Sequence, residues 1–221
     1  KISCRGKQTK NIRVDGGIGV DISIIIPCHN LENYIDKCIG SVIKQSYDKD
    51  KFEIIVVLDA CTDRTGEIVK DILGVSGITN TVLTINSKNA GTARNVGLNK
   101  AIGEYIYFMD GDDYFTDDDA LLILFESIRR GDNNVVYMTD FESEDTEIYK
   151  IEKDAIWRFF LRRDLIGKTR FLPAPINEDW LFVFNIRNKS DYKEGKVDKI
   201  LYHYTHPRAG SITDCASKMM R

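Results

Sequence analysis

Residues 104–113 read EYIYFMDGDD. The apolar run Glu104–Met109 predicts a short buried strand. It stops on a cluster of carboxylates, Asp110, Asp112 and Asp113. A strand apolar on both faces belongs inside a sheet that helices cover from both sides. Working back toward the N-terminus, the same alternation repeats. Gly91–Ala101 predicts a helix with a small-residue face, and Thr81–Ile85 a strand. Thr62–Leu73 predicts a helix with Ile68, Val69, Ile72 and Leu73 on one side, and Phe52–Asp59 (FEIIVVLD) a strand. Leu31, Tyr34, Ile35, Cys38, Ile39, Val42 and Ile43 fall at helical spacing, with Asn30 placed to cap that helix. Asp21–Pro27 (DISIIIP) is the first strand. Strands alternating with helices at this spacing predict an α/β fold with a mostly parallel central sheet and helices on both faces.

In such sheets ligands bind where the strands end. That rule singles out Cys28, His29 and Asn30 after the first strand, 59–63 after the second and 110–113 after the fourth. Asp110 and Asp112, one residue apart in a turn, offer hard oxygen ligands to Mg²⁺ or Mn²⁺, the other positions going to substrate phosphates and water. The competing reading is an acidic turn that caps a helix. Asp117, Asp118 and Asp119 fit that second reading at the head of a helix over Asp117–Arg129. No GxxxxGK[ST] or GxGxxG follows a strand, which argues against P-loop and dinucleotide sites. Gly16-Gly17-Ile18-Gly19 precedes the first strand and reads as a flexible lead-in.

Further on, Val135–Asp140 and Thr146–Tyr149 predict short strands, and Ile151–Leu165 a helix of basic and aromatic composition. Asn177–Arg187 predicts a helix opened by Glu178-Asp179, and Lys199–Tyr204 a last strand before HPRAGSIT. A carboxylate at a helix N-terminus is favoured by the macrodipole, so Asp179 is a candidate general base toward a hydroxyl. The division expected is a lead-in over 1–20, a nucleotide-type half over 21–113, and an acceptor-type half over 114–221 of the same domain.

The 221 residues carry 31 Lys plus Arg against 34 Asp plus Glu, a formal net charge of −3. This excludes nucleic-acid binding through bulk charge. A local surface remains as an alternative, because Trp157, Arg158, Phe159, Phe160, Arg162, Arg163, Lys168 and Arg170 interleave bases and aromatics. Against it stands an amphipathic helix with its aromatics in the core. No apolar run approaches the roughly 18–20 residues of a membrane span, and the basic N-terminus lacks the apolar stretch of a secretory signal. Five cysteines, an odd number without CxxC spacing, point away from a disulfide framework or zinc site. The expected location is the cytoplasm, or the periphery of a membrane.

Five blocks, taken together, resemble the family 2 glycosyltransferases of the GT-A (nucleotide-diphospho-sugar transferase) fold in order and spacing. They are IIIPCHNLENYIDKCIGSVIKQ (24–45), EIIVVLDACTDRTGEIV (53–69), GTARNVGLNKAIGEYIYFMDGDD (91–113), EDW (178–180) and YHYTHPRAGSIT (202–213). The resemblance implies inverting transfer from a nucleotide-diphosphate sugar, with a UDP-sugar favoured, to an acceptor hydroxyl. It places Pro27, His29, Asn30 and Glu32 at the nucleoside, Asp59 at the base, and Asp63 in a structural role. It places Arg94 and Asn95 near the nucleotide. Asp110, Gly111 and Asp112 match the metal motif, Asp112 being the more direct ligand of Mn²⁺ or Mg²⁺. Asp179 matches the catalytic base and Glu178 its supporting neighbour. Arg208 and Ser211 fall where a loop closes over the diphosphate, and His206 or His203 where some relatives supply a third metal ligand. The chain departs from the pattern at Ala60 and Cys61, which replace a carboxylate-bearing stretch, at His29, where Tyr is frequent, and in a short acceptor half. The alternatives are transfer to modified DNA or another large acceptor, and a catalytically silent binding module. A nucleotidyltransferase is disfavoured by the missing Gly-rich basic loop.

Overall fold

A computed structural model describes residues 19–144, 154–174 and 178–206. In chain order its elements are β1 (Ile22–Cys28), α1 (Ile35–Ile43), β2 (Phe52–Asp59), α2 (Thr65–Gly74), β3 (Thr79–Ile85), α3 (Ala90–Leu98), β4 (Tyr105–Phe108), β5 (Tyr114–Phe115), α4 (Ala120–Arg130), β6 (Val135–Met138), β7 (Phe159–Arg162), α5 (Arg163–Ile166), α6 (Glu178–Arg187), β8 (Glu194–Val197) and β9 (Tyr202–His203).

The first seven-stranded sheet runs in the order β3-β2-β1-β4-β7-β6-β8. β1 to β4 are parallel, with Ile24 opposite Ile54 and Tyr107. β7 runs antiparallel between β4 and β6, and β8 pairs parallel with β6. Side chains of a strand alternate between faces, and here both faces are apolar. Ile24, Ile26, Ile54, Val56 and Tyr107 pack toward α1, α2 and α4. Ile25, Ile55, Val57, Ile106 and Phe108 pack toward α3, α5 and α6. α3 comes closest to the sheet, because a Cβ on its Gly97 would lie 2.4 Å from Cγ2 of Ile25. The strands from residue 114 onward extend this same sheet, apart from β5 and β9, which form a two-stranded ribbon.

Several expectations shift. Asn30 does not cap α1. Its φ is 51°, and its Oδ1 accepts the Thr62 amide at 2.8 Å. The chain first turns through Leu31, whose carbonyl takes the amides of Tyr34 and Ile35, and helix begins only at Ile35. The acidic run 117–119 folds on itself, the Asp119 amide donating to Oδ1 of Asp117 at 2.8 Å, so α4 starts at Ala120. The stretch expected as a helix over Ile151–Leu165 contains a 3₁₀ turn at Ile156–Arg158, then β7 and the short α5. Its first residues, 151–153, lie outside the described residues, as does the expected strand Thr146–Tyr149. Phe160 faces one core layer and Phe159 and Leu161 the other, so pairing with β4 and β6 supplies what helical spacing only imitated. β8 had no counterpart in the sequence reading. Trp157, Arg158, Phe159 and Phe160 are buried, and Arg158 Nε donates to the Met138 carbonyl at 3.0 Å. This stretch is core, and it offers no stacking surface to nucleic acid. Among the described residues no helix is long and apolar enough to cross a membrane.

Candidate active site

The parallel register brings the carboxyl ends of β1, β2 and β4 side by side. Asp59 ends β2, and its carboxylate is 3% exposed. Oδ1 accepts the amides of Ser87 (2.6 Å) and Lys88 (2.9 Å). Oδ2 accepts the Ser87 hydroxyl (2.6 Å) and the Asn89 amide (2.9 Å). Burial alone would raise its pKa, but these donors outweigh burial and hold it below the usual carboxylate range. A carboxylate has about four acceptor directions, so Asp59 is occupied in building the loop between β3 and α3. Asn89, held this way, caps α3 by accepting the Thr92 amide at 2.8 Å.

α3 carries Arg94, which is 4% exposed. Its Nη1 donates to Glu178 Oε1 (3.0 Å) and Asp179 Oδ1 (2.8 Å), and its Nη2 to Asp110 Oδ1 (2.8 Å). The Phe171 ring lies 5.5 Å from the guanidinium carbon. Nε is buried and has no hydrogen-bond partner among the described residues. One cation on α3 thus joins the end of β4 to the first turn of α6, reaching partners 84 and 85 residues along the chain from Arg94. Burial would lower the Arg94 pKa, and the three carboxylates override it and drive it upward. Asp179 is partly buried, held between Arg94 and the Ile156 amide, which donates to its Oδ2 at 3.1 Å. Its pKa is pushed up to about 7. Burial is the largest cause; Arg94 opposes it, and Asp110 and Glu178 add to it.

The acidic loop after β4 is pinned from the C-terminal side. Tyr202 Oη accepts the Asp110 amide at 3.3 Å and donates to Asp113 Oδ2 at 2.7 Å. The Thr205 amide donates to Asp113 Oδ1 at 2.8 Å. Asp113 is 1% exposed. Burial, with Asp112 and Asp110 nearby, raises its pKa well above the ordinary value. A Cβ at Gly111 would lie 2.7 Å from Leu31 Cδ1 and 3.1 Å from Cys28 Sγ, so only glycine lets the loop pass this close to the end of β1.

Residues 23–188 match the model of glycosyl transferase family 2. The chain belongs to this family. Over 99 residues it is 43% identical to glycosyltransferase GlyA of Streptococcus pneumoniae, covering 44% of this chain and 14% of GlyA. Over 92 residues it is 40% identical to poly(ribitol-phosphate) beta-N-acetylglucosaminyltransferase TarS of Staphylococcus aureus, covering 42% of this chain and 16% of TarS. The matched stretches are thus a small part of either relative. The crystal structure of S. aureus TarS in complex with UDP superposes with a TM-score of 0.72 at 25% identity, covering 84% of this chain and 60% of that one. A mannosyltransferase from Pyrobaculum calidifontis in complex with GDP-Man and Mn²⁺ matches at a TM-score of 0.72 and 18% identity, covering 86% and 58%. These matches give the domain the GT-A fold.

The remaining expected residues of this family 2 glycosyltransferase fall into two groups. Near the strand ends, exposed His29 donates from Nδ1 to the Asp59 carbonyl at 2.7 Å. Partly buried Pro27 borders the Gly111 site. The Glu32 amide donates to Asp63 Oδ2 at 3.0 Å, and Glu32 Oε2 accepts the Arg64 amide at 3.0 Å. Asp63 also takes the Thr65 amide and hydroxyl at the start of α2. Partly buried Asp112 sits in the acidic loop. Away from the strand ends, Asn95 donates to the Phe171 carbonyl at 2.8 Å and accepts the Phe171 amide at 3.0 Å, so it fastens the 168–174 segment to α3. His203 stacks on Tyr114 at 4.3 Å and lies 3.2 Å from Glu144. His206 stacks on Tyr204. Among the described residues no three His, Cys, Asp or Glu side chains are grouped to hold a metal ion. Arg208 and Ser211 lie outside the described residues. The sequence reading missed Asp113 and Tyr202 as the pins of the acidic loop; the polar end of β4 and the YHY segment were the available signals.

Proposed function

We propose that this domain transfers a sugar from a UDP-sugar to an acceptor hydroxyl, with inversion at the anomeric carbon. The observation that carries the reading is the Arg94 junction, which sets a carboxyl with a pKa of about 7 beside the acidic loop at the strand ends. A general base works best when its pKa lies near the working pH. Asp179 takes the proton from the acceptor hydroxyl as that oxygen attacks the sugar from the face opposite the nucleotide. Arg94 and the Ile156 amide hold the carboxylate in one orientation for this transfer. Glu178 helps keep Arg94 in place by accepting from the same Nη1. The UDP complex of TarS, at 25% identity, supports uridine diphosphate as the donor's nucleotide. Pro27, His29, Asn30 and Glu32 border the nucleoside, and Asp59 acts there through the loop it orders.

The donor set of the acidic loop fits a hard divalent cation. Asp110 and Asp112 supply carboxylate oxygens, and Arg94 takes only Oδ1 of Asp110. Two protein ligands leave positions for diphosphate oxygens and water, the usual arrangement for Mg²⁺. Bound there, Mn²⁺ or Mg²⁺ offsets the charge that develops on the leaving diphosphate.

A panel of sugar nucleotides with Mn²⁺ tests the reading. UDP-sugars are expected to be hydrolysed or transferred. Asp179→Asn is expected to lower turnover about a hundredfold to ten-thousandfold, and Asp112→Ala about a hundredfold to a thousandfold. UDP with Mn²⁺ is expected to raise the melting temperature more than UDP alone. A chain that binds UDP but turns over no donor is a binding module. Unchanged turnover in both variants rejects the proposed roles.

A further inference from the structure

Among the described residues most large apolar side chains are buried, and the six exposed ones are not spread evenly. Val75, Ile102 and Ile200 stand apart, whereas Leu172 (52% exposed), Trp180 (52%) and Phe184 (49%) belong to the segment leading into α6 and to α6 itself. Trp180 and Phe184 are one helical turn apart, and their rings stack at 5.5 Å and 22°. The two rings back one another as an exposed aromatic pair. The opposite side of α6 is anchored. Phe182, Val183 and Ile186 are buried, and Phe182 stacks on Phe171 at 4.0 Å and 4°. The exposed pair therefore sits on a rigid support.

Position ties this face to the reaction. Trp180 directly follows Asp179, and long helical side chains lean toward the helix N-terminus, which here is the end that holds the base. The Leu172 segment borders the same end: the point where a Cβ on Gly91 would sit is 2.9 Å from the Leu172 carbonyl and 3.3 Å from Glu178 Cγ. Clustered exposed apolar groups mark a binding surface. An indole paired with a phenyl ring suits a ligand that is apolar on one side and polar at its edge. A sugar ring is such a ligand, because one face presents C–H groups and the rim presents hydroxyls. The face is poorly made for a phosphate chain. Arg187, the basic residue of α6, is already paired with Asp154 and Glu194.

We propose that Trp180 and Phe184 form the acceptor platform, and that the acceptor lays the C–H face of a pyranose ring on it with a hydroxyl directed to Asp179. The proposal rests on the glycosyl-transfer reading above and narrows its acceptor to a ring.

Fluorescence tests it directly, because the chain has two tryptophans and Trp157 is buried between other rings. Trp180 emission is followed while cellotriose, chitotriose or ribitol 5-phosphate is added to the full chain with UDP and Mn²⁺. The expected result is a saturable change with a trisaccharide and none with ribitol 5-phosphate. By calorimetry, Trp180→Ala is expected to weaken trisaccharide binding about tenfold or more. Trp180→Phe should recover part of that loss. Stabilisation of Trp180→Ala by UDP and Mn²⁺ serves as the check on folding. No response to either trisaccharide, an equal response to the acyclic probe, or unaltered binding by Trp180→Ala overturns the platform. So does self-association that Trp180→Ala abolishes, which would make the face a contact between copies. If the wild type turns over no UDP-sugar, the donor reading fails instead, and the titration still decides whether the rings seat a sugar.

Discussion

Asp59, a buried carboxylate, and Asp179, a partly buried one, both belong to the candidate site, and their environments drive them in opposite directions. Asp59 is surrounded by donors of its own chain, three amides and a hydroxyl from 87–89. It stays ionised and orders a loop. Asp179 has one amide and a share of a guanidinium that two other carboxylates also claim. It is pushed up to about 7. Burial raises both acids; at Asp59 four committed donors outweigh it, whereas at Asp179 it prevails, with Asp110 and Glu178 adding to it. A carboxylate supplied with every donor it can use becomes scaffold, and one supplied with too few becomes a titratable group suited to proton transfer.

Removing the shared cation should break this contrast most severely. Arg94→Met leaves the partly buried Asp110, Glu178 and Asp179 together without their shared cation, and stripping one member from a buried ion network costs up to about 3–5 kcal/mol. Urea denaturation at neutral pH is expected to show that loss. Acidification should relieve part of it, because the three acids are then neutralised by protons. Arg94→Lys should fall between, since a single ammonium cannot spread over three carboxylates as a guanidinium does.

The same comparison from the other side is milder. Asp59→Asn turns an acceptor toward a set of donors into a group that itself donates. One or more of the amides at 87–89 is then buried without a partner, at a cost of about 1–3 kcal/mol. Hydrogen exchange at Ser87, Lys88 and Asn89 is expected to accelerate more than exchange in β1 or β4.

pH separates the two acids without mutation. Asp179 accepts a proton only when ionised, so the transfer rate should rise with pH, fall about tenfold for each unit well below its midpoint, and level off above about 7. Asp59 is already ionised throughout that range, so it adds no limb. The signs also differ for stability. A depressed acid such as Asp59 contributes stability that is present above its unfolded pKa and lost as pH falls through the folded one. A raised acid such as Asp179 works the other way, costing stability as pH climbs from its unfolded value toward about 7. A rate profile flat from pH 5 to pH 8 would remove Asp179 as the base.

These contrasts also mark what was legible in the sequence. Strands β1, β2 and β4 were readable because a doubly covered parallel strand is apolar on both faces, and such runs stand out locally. Asp110 and Asp179 were readable as acids at element ends. β7 was not, because Trp157, Phe160 and their neighbours fit helical spacing as well as strand pairing. Its identity comes from β4 and β6, which are remote in sequence. Asn30 carries the residue type of a helix cap, and only its left-handed backbone and its bond to Thr62 show another use. Arg94 is placed near the nucleotide by the family resemblance alone. Its partners at 178 and 179 lie 84 and 85 residues away, and no local pattern records that meeting.

Asp113 extends the comparison to a third acid and the smallest effect. It has two committed donors, the Tyr202 hydroxyl and the Thr205 amide. Its pKa is nonetheless raised, by burial first and by Asp112 and Asp110 after it. Its donor count matches that of Asp179, which takes the Ile156 amide and Arg94 Nη1, and burial prevails at both. Tyr202→Phe removes one donor and preserves the ring that stacks on Trp157 at 4.6 Å. The loss expected is about 0.5–1.5 kcal/mol. It should be largest at high pH, where Asp113 is most often ionised, and shrink as acidification protonates the acid in both proteins. The substitution also frees the Asp110 amide, which Tyr202 Oη accepts. Affinity for UDP with Mn²⁺ is therefore expected to weaken alongside stability, and a thermal-shift titration measures both in one experiment. If stability falls and that affinity does not, the hydroxyl holds the fold at Asp113 and leaves the orientation of the acidic loop to Gly111 and Arg94.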